Sequence, residues 1–130
     1  PNGSVRWTFG SGDAVYASPA VGADGTVYFG SSDGVLHAVG ADGSKLWKFV
    51  TKGPGAVAMG AIFASASIGV DGTVYAAGLY DPNLYALNPA DGSVNWACSF
   101  ALYPEDAGDP NSAKVGGWPF AAHRFAWTAL

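Results

Sequence analysis

Ten carboxylates, two histidines and one cysteine carry the titratable acid, base and thiol chemistry open to this 130-residue chain. Half of the carboxylates follow one rule: Asp24, Asp33, Asp42, Asp71 and Asp91 each stand directly before a glycine. A carboxylate placed there accepts hydrogen bonds from its own backbone two residues on, so turn formation accounts for these five better than catalysis or metal binding. A calcium loop of the helix-loop-helix type needs a run of oxygen ligands closing on Glu, and the chain has none. Glu105, Asp106 and Asp109 do cluster. Three carboxylates so close could hold a Ca²⁺, although the 103–112 stretch reads more simply as a solvated acidic loop. His37 sits inside an alternating apolar run and reads as a packed, hydrogen-bonded ring, while His123 has no partner at ligand spacing. Cys98 likewise lacks a second Cys or His at metal-ligand spacing and reads as a small buried hydrophobe. Asn2-Gly3-Ser4 fits a glycosylation sequon. Trp118-Pro119-Phe120, with Tyr80 and Tyr103, could form an aromatic recognition surface, against which stands ordinary aromatic packing. No nucleophile elbow, phosphate loop or dinucleotide fingerprint is present. The sequence therefore assigns no catalytic, cofactor-binding or metal-ligating residue.

The elements that would position these groups repeat along the chain. A Trp precedes a Phe at Trp7 and Phe9, Trp47 and Phe49, and Trp96 and Phe100. An aromatic-Ala-small triplet recurs as Tyr16-Ala17-Ser18, Phe63-Ala64-Ser65 and Phe120-Ala121-Ala122. Asp-Gly-Thr-Val-Tyr occurs at Asp24, Gly25 to Tyr28 and at Asp71, Gly72 to Tyr75. Triplet to Asp is 8 residues both times and Asp to Trp is 23 and then 25, whereas Trp to triplet runs 9, 16 and 24. One connection is thus a loop of variable length, and the rest is a structural unit of nearly fixed length.

Within a unit, Ser18 to Val21, Val27 to Gly30, Leu36 to Val39 and Lys45 to Phe49 are short runs rich in β-branched and aromatic residues. Asp-Gly pairs separate them, the strongest short-range hairpin signal, because Gly takes the positive φ that a tight turn needs. In the second unit the middle turn is Asp81-Pro82-Asn83, whose proline excludes a two-residue hairpin. The Ala-rich stretch 56–66 contains Gly60 and reads as loop followed by strand. Three successive hairpins make a four-stranded antiparallel meander. Units of about 40–50 residues with four short strands are the blades of a propeller. One blade cannot bury both faces alone, and the recurrent Trp is the natural filler between neighbours.

Composition agrees. Nineteen glycines, 14% aromatic residues and only 12% charged residues suit short strands, tight turns and flat side chains packed between sheets. The formal net charge of -4, with six scattered basic residues, argues against nucleic acid as a partner, since counterion release needs clustered Lys and Arg. No stretch approaches the ~20 apolar residues of a membrane span, and no signal peptide opens the chain.

Ala86-Leu87-Asn88-Pro89-Ala90-Asp91-Gly92-Ser93-Val94-Asn95-Trp96 resembles the tryptophan-docking motif of pyrroloquinoline-quinone (PQQ) type propeller repeats, Ala-x-Asp/Asn-x-x-Thr/Asp-Gly-x-x-x-Trp. The first unit, from Ala38 to Trp47, is one residue shorter and has Gly40 in the Asp/Asn place, which predicts weaker docking there. Val35 to Val39 and Asn83 to Leu87 resemble the family's Leu-Tyr-Ala-Leu strand, with His37 in the place of Tyr, and Ser18-Pro19-Ala20-Val21 resembles its Ser-Pro-x-Val signature. The resemblance runs from Val5 to about Phe100. It implies an all-β, partial β-propeller: residues 1–10 as the outer strand of a preceding blade, 11–50 as one blade, 51–100 as a second, and 101–130 as a long loop and the start of a third. It also implies structural anchors at Trp7, Trp47, Trp96, Ala86, Asn88, Gly92, Asp24, Gly25, Asp71 and Gly72. Propellers close with four to eight blades. The expectation is therefore a segment of a larger ring whose partners are the remaining blades and a further protein. Its open edges would favour strand pairing or aggregation if it stood alone.

Family resemblance leaves function open. Such repeats build quinoprotein alcohol dehydrogenases, the lipoprotein scaffold of the outer-membrane assembly machinery, and sensor and adhesion proteins. The first reading is a non-catalytic interaction scaffold, secreted or periplasmic, with no cofactor in this segment. The alternatives are part of a PQQ- and Ca²⁺-dependent dehydrogenase, often marked by a vicinal cysteine pair that this chain lacks, and a carbohydrate- or peptide-binding module.

Overall fold

The computed structural model describes residues 2–51, 62, 64–78, 81 and 83–99. Eight strands form two four-stranded antiparallel sheets, each a simple meander. The first holds β1 (Ala20–Val21), β2 (Val27–Gly30), β3 (Val35–Val39) and β4 (Lys45–Val50). The second holds β5 (Ser67–Ile68), β6 (Val74–Ala77), β7 (Asn83–Leu87) and β8 (Val94–Ser99). These are two blades of a partial propeller, as the repeat spacing predicts.

The inner strand is shorter than expected, beginning at Ala20 rather than Ser18. Pro19 has no N–H to give a ladder. The Ser18 amide turns instead to Ser65 Oγ, 3.2 Å away in the second blade, so the two triplets tie the blades together. Residues 2–19 take no strand assignment. The segment expected as an outer strand, 1–10, has no ladder partner among the described residues.

The Asp-Gly turns differ in type from the two-residue hairpin. A two-residue type I′ turn needs positive φ at both central residues. Here only the glycines have it: Gly25 (φ 84°), Gly34 (80°), Gly43 (85°), Gly72 (86°) and Gly92 (72°). Gly25 N donates to Gly22 O and Gly22 N to Thr26 O, and the same pair of bonds recurs at 40–44 and 69–73. This is a three-residue loop whose last residue is a glycine in the left-handed region. The 88–93 turn is one residue longer, with Gly92 N bonded to Asn88 O.

Each fourth strand carries a bulge just before its Trp. Trp47 opposes Ala38 and Lys45 opposes Val39, leaving Leu46 unpaired; Trp96 opposes Ala86 and Val94 opposes Leu87, leaving Asn95 unpaired. The extra residue resets the alternation, so Lys45 falls on the opposite face from Trp47. In-register residues share a face, which places Tyr28, Ala38 and Trp47 together and Phe29, His37 and Lys48 on the other side. The first face meets the second blade. Tyr28, Leu36, Ala38, Trp47, Ile62, Ala66, Val74, Ala76, Tyr85 and Leu87 form one buried cluster between the sheets, with Phe49 against it.

Candidate functional site

The seams between sheets bring together Trp47 with Gly92, and Trp7 with the 40–44 turn. Trp47 is 7% exposed, its indole Nε1 donates to Pro89 O at 2.8 Å, and its ring lies on Gly92. A Cβ built on Gly92 would stand 2.5 Å from the Trp47 ring, so only glycine admits the indole there. Tyr28 flanks the ring at 5.6 Å between centroids, and Phe49 meets Tyr85 edge-on at 4.8 Å.

The N-terminal segment makes the same contacts one blade earlier. Trp7 Nε1 donates to Ala41 O at 2.9 Å and the ring lies on Gly43. Phe9 meets His37 at 5.6 Å, and His37 opposes Lys48 much as Tyr85 opposes Ala97. The shorter first motif thus forms an indole bond as short as that of the second, to within 0.1 Å. Trp96 repeats the pairing with a tyrosine, 5.9 Å from Tyr75, but is 47% exposed. Ala86, buried, opposes both Tyr75 and Trp96. Asn88 caps its own turn by accepting from Ala90 N at 2.9 Å.

The turn carboxylates are occupied as the Asp-Gly pattern predicts. Asp24 accepts from Thr26 N and Oγ1, Asp71 from Thr73 N and Oγ1, Asp42 from Ser44 N and Oγ, and Asp91 from Ser93 N and Oγ. These bonds favour the ionised form and hold all four carboxyls below the ordinary Asp range. A depressed carboxyl contributes stability that is complete above its unfolded pKa and is lost as pH falls through the folded one. Denaturant midpoints are therefore expected to drop as pH goes from about 4 toward 2, and a D24N/D42N/D71N/D91N variant should show a flatter drop over that window.

One buried polar cluster escaped the sequence reading. Ser31, fully buried, has its hydroxyl bonded to Asp33 Oδ1 and 3.4 Å from His37 Nε2. Its carbonyl accepts from Gly34 N and Ile62 N, while Ser32 N donates to Ala14 O and Thr51 N and Oγ1 both donate to Gly34 O. His37 is packed as expected, stacked on Phe29 at 5.2 Å, yet among the described residues its Nδ1 has no hydrogen-bond partner. The signal lay in the two middle turns: Tyr85 donates to Asp81 Oδ2 at 2.6 Å, and a histidine in the place of that tyrosine leaves Asp33 to be met through Ser31.

Cys98 corrects an expectation. It is exposed rather than buried, because it shares the outer face of β8 with Trp96, opposite Leu84, away from the first blade. Among the described residues no three His, Cys, Asp or Glu side chains lie together as a metal site, and no helix is long and apolar enough to cross a membrane. The acidic 103–112 loop, His123, Tyr80, Tyr103, Trp118, Phe120 and Phe63 lie outside the described residues.

The fold has relatives among solved structures. BamB from Moraxella catarrhalis superposes with a TM-score of 0.63 at 17% identity, over 78% of this chain and 28% of that one. Quinohemoprotein alcohol dehydrogenase from Comamonas testosteroni superposes with a TM-score of 0.50 at 24% identity, over 67% of this chain and 13% of that one. The chain therefore spans under a third of either relative's length. No curated protein sequence matches it. A family model described as outer membrane protein assembly factor BamB matches residues 1–109. With two tryptophan-bearing meanders packed as adjoining blades, the chain belongs to that PQQ-type repeat family.

Proposed function

We propose that this chain is a non-catalytic portion of a PQQ-type propeller that serves as a protein-interaction scaffold in the periplasm. The match to an outer membrane assembly factor over residues 1–109 carries the reading. The seams support it: on this reading the Trp47, Gly92 and Pro89 contact is the tryptophan docking of the family, and Trp96 is covered the same way by the turn of a further blade. The best-placed carboxylates, Asp24, Asp42, Asp71 and Asp91, already accept bonds within their own turns, which suits architecture more than proton transfer.

The second reading, a portion of a quinoprotein dehydrogenase, is favoured by the superposition on the Comamonas enzyme. Titrating the full-length protein with PQQ and Ca²⁺ under dye-linked alcohol oxidation separates the two. The expected result is no turnover, together with capture of an envelope protein by cross-linking; alcohol-dependent dye reduction would remove the scaffold proposal.

A further inference from the structure

The two seams differ where His37 stands in the place of Tyr85, and that difference places a titratable ring under the N-terminal segment. In the second blade Tyr85 meets Phe49 and reaches its turn carboxylate directly. In the first blade His37 meets Phe9 and reaches Asp33 only through the Ser31 hydroxyl. We propose that His37 is a proton-operated latch on this seam: uptake of a proton by its ring loosens the seating of residues 9–14 on the first blade.

The hydrogen-bond order favours one tautomer of the ring. The Ser31 hydroxyl has one proton, and its closest acceptor is Asp33 Oδ1. In the tautomer protonated at Nε2 its oxygen accepts from His37 Nε2–H, 3.4 Å away, and Nδ1 keeps a bare lone pair. That atom is buried with no hydrogen-bond partner within bonding distance among the described residues. A second proton goes to Nδ1 and places a full charge on a ring held between Phe29, at 5.2 Å, and Phe9, at 5.6 Å. Charge in such surroundings is strongly disfavoured.

The neighbouring charges divide. From the 31–34 turn Asp33 favours the charged ring, as does the Ser11 backbone on the N-terminal segment; from β4 Lys45 and Lys48 oppose it, Lys48 standing opposite His37 in register. Arg6 and Asp13 are the charged side chains of that segment, and Asp13 Oδ1 is bonded to Ala14 N. Burial is the largest influence and holds the imidazole below the ordinary histidine range. A base depressed in the folded state contributes its full stability above the unfolded pKa, near 6.5, and loses it as pH falls below that value.

The latch acts locally because this cluster is what the segment rests on. Ala14 O accepts from Ser32 N, Phe9 packs on both Phe29 and His37, and a Cβ on Gly12 would lie 3.4 Å from Asp33 Oδ2. Displacing the His37 ring disturbs all three contacts at once.

Amide exchange by NMR on the whole chain, from pH 7.5 to 5.5, provides the test. After correction for intrinsic exchange, protection of the Ser32 amide should fall below pH 6.5, by at most about tenfold per pH unit for one proton. Protection of Gly69 N, bonded to Thr73 O in the second blade, should stay level. H123Q should behave as the parent, and H37Y, which installs the residue of the second blade, should abolish the fall. Equal pH dependence at Ser32 and Gly69, or a Ser32 fall that persists in H37Y, overturns the proposal. So does a His37 Cε1–H titration with a midpoint at or above 6.5, which needs no variant to fold.

Discussion

Trp47→Ala is expected to cost about 3–5 kcal/mol in urea unfolding of the 130-residue chain, the range for removing a large aromatic side chain from a packed interior. Nearly all of the indole is buried, and it packs against Tyr28 on its own blade and Gly92 on the next. Truncation also strips the Pro89 carbonyl of its donor, worth about 1 kcal/mol more if water does not replace it. Small domains hold about 5–15 kcal/mol in total, so this one side chain decides whether the blades remain docked. Trp96→Ala in the same chain makes the control. Among the described residues that indole is paired with Tyr75 and half exposed, so its loss should cost about 1 kcal/mol or less. Equal losses at the two positions would mean that the seam is not what holds the blades together.

Gly92→Ala should rank next, at about 2–5 kcal/mol by thermal or urea unfolding. Two effects add. A φ of 72° costs a residue with a Cβ about 1–2 kcal/mol, and forcing that atom to 2.5 Å from the Trp47 ring adds about 1–3 kcal/mol of overpacking. Gly72→Ala isolates the first effect. Its φ is 86°, but the nearest atom to the built Cβ is Pro89 Cγ at 3.6 Å, an ordinary contact, so the cost should stop near 1–2 kcal/mol. Because Gly92 and Trp47 act through one contact, the double variant Gly92→Ala with Trp47→Ala should be less damaged than the sum of the singles. Additivity there would detach the glycine from the indole.

Much of this was readable from residue order because the relevant physics is local. Asp-Gly-Thr and Asp-Gly-Ser close their own turns, whereas Tyr28 with Trp47 and Tyr75 with Trp96 share a face only because a bulge shifts each fourth strand by one residue. What stayed hidden depends on partners distant in the chain or on one-residue offsets. The bulges at Leu46 and Asn95 leave no mark in composition, and a two-residue and a three-residue Asp-Gly loop differ only in which residues enter the left-handed region. Ser31 looked like a loop residue between Gly30 and Asp33. Its burial follows from Ala14 and Ile62 converging on the same turn from opposite sides in sequence, which spacing alone does not reveal. Cys98 was misplaced for the converse reason: periodicity gives its face, whereas exposure depends on what adjoins that face.

Each blade presents an indole on one side and a glycine-floored turn on the other, so the join has a direction, like a plug and a socket. A join of that kind has no two-fold solution: two identical blades cannot satisfy each other face to face, because plug would meet plug or socket would meet socket. Addition in one sense leads either to a closed circle or to an unbounded filament, and the sheet twist that sets the angle between neighbours determines which.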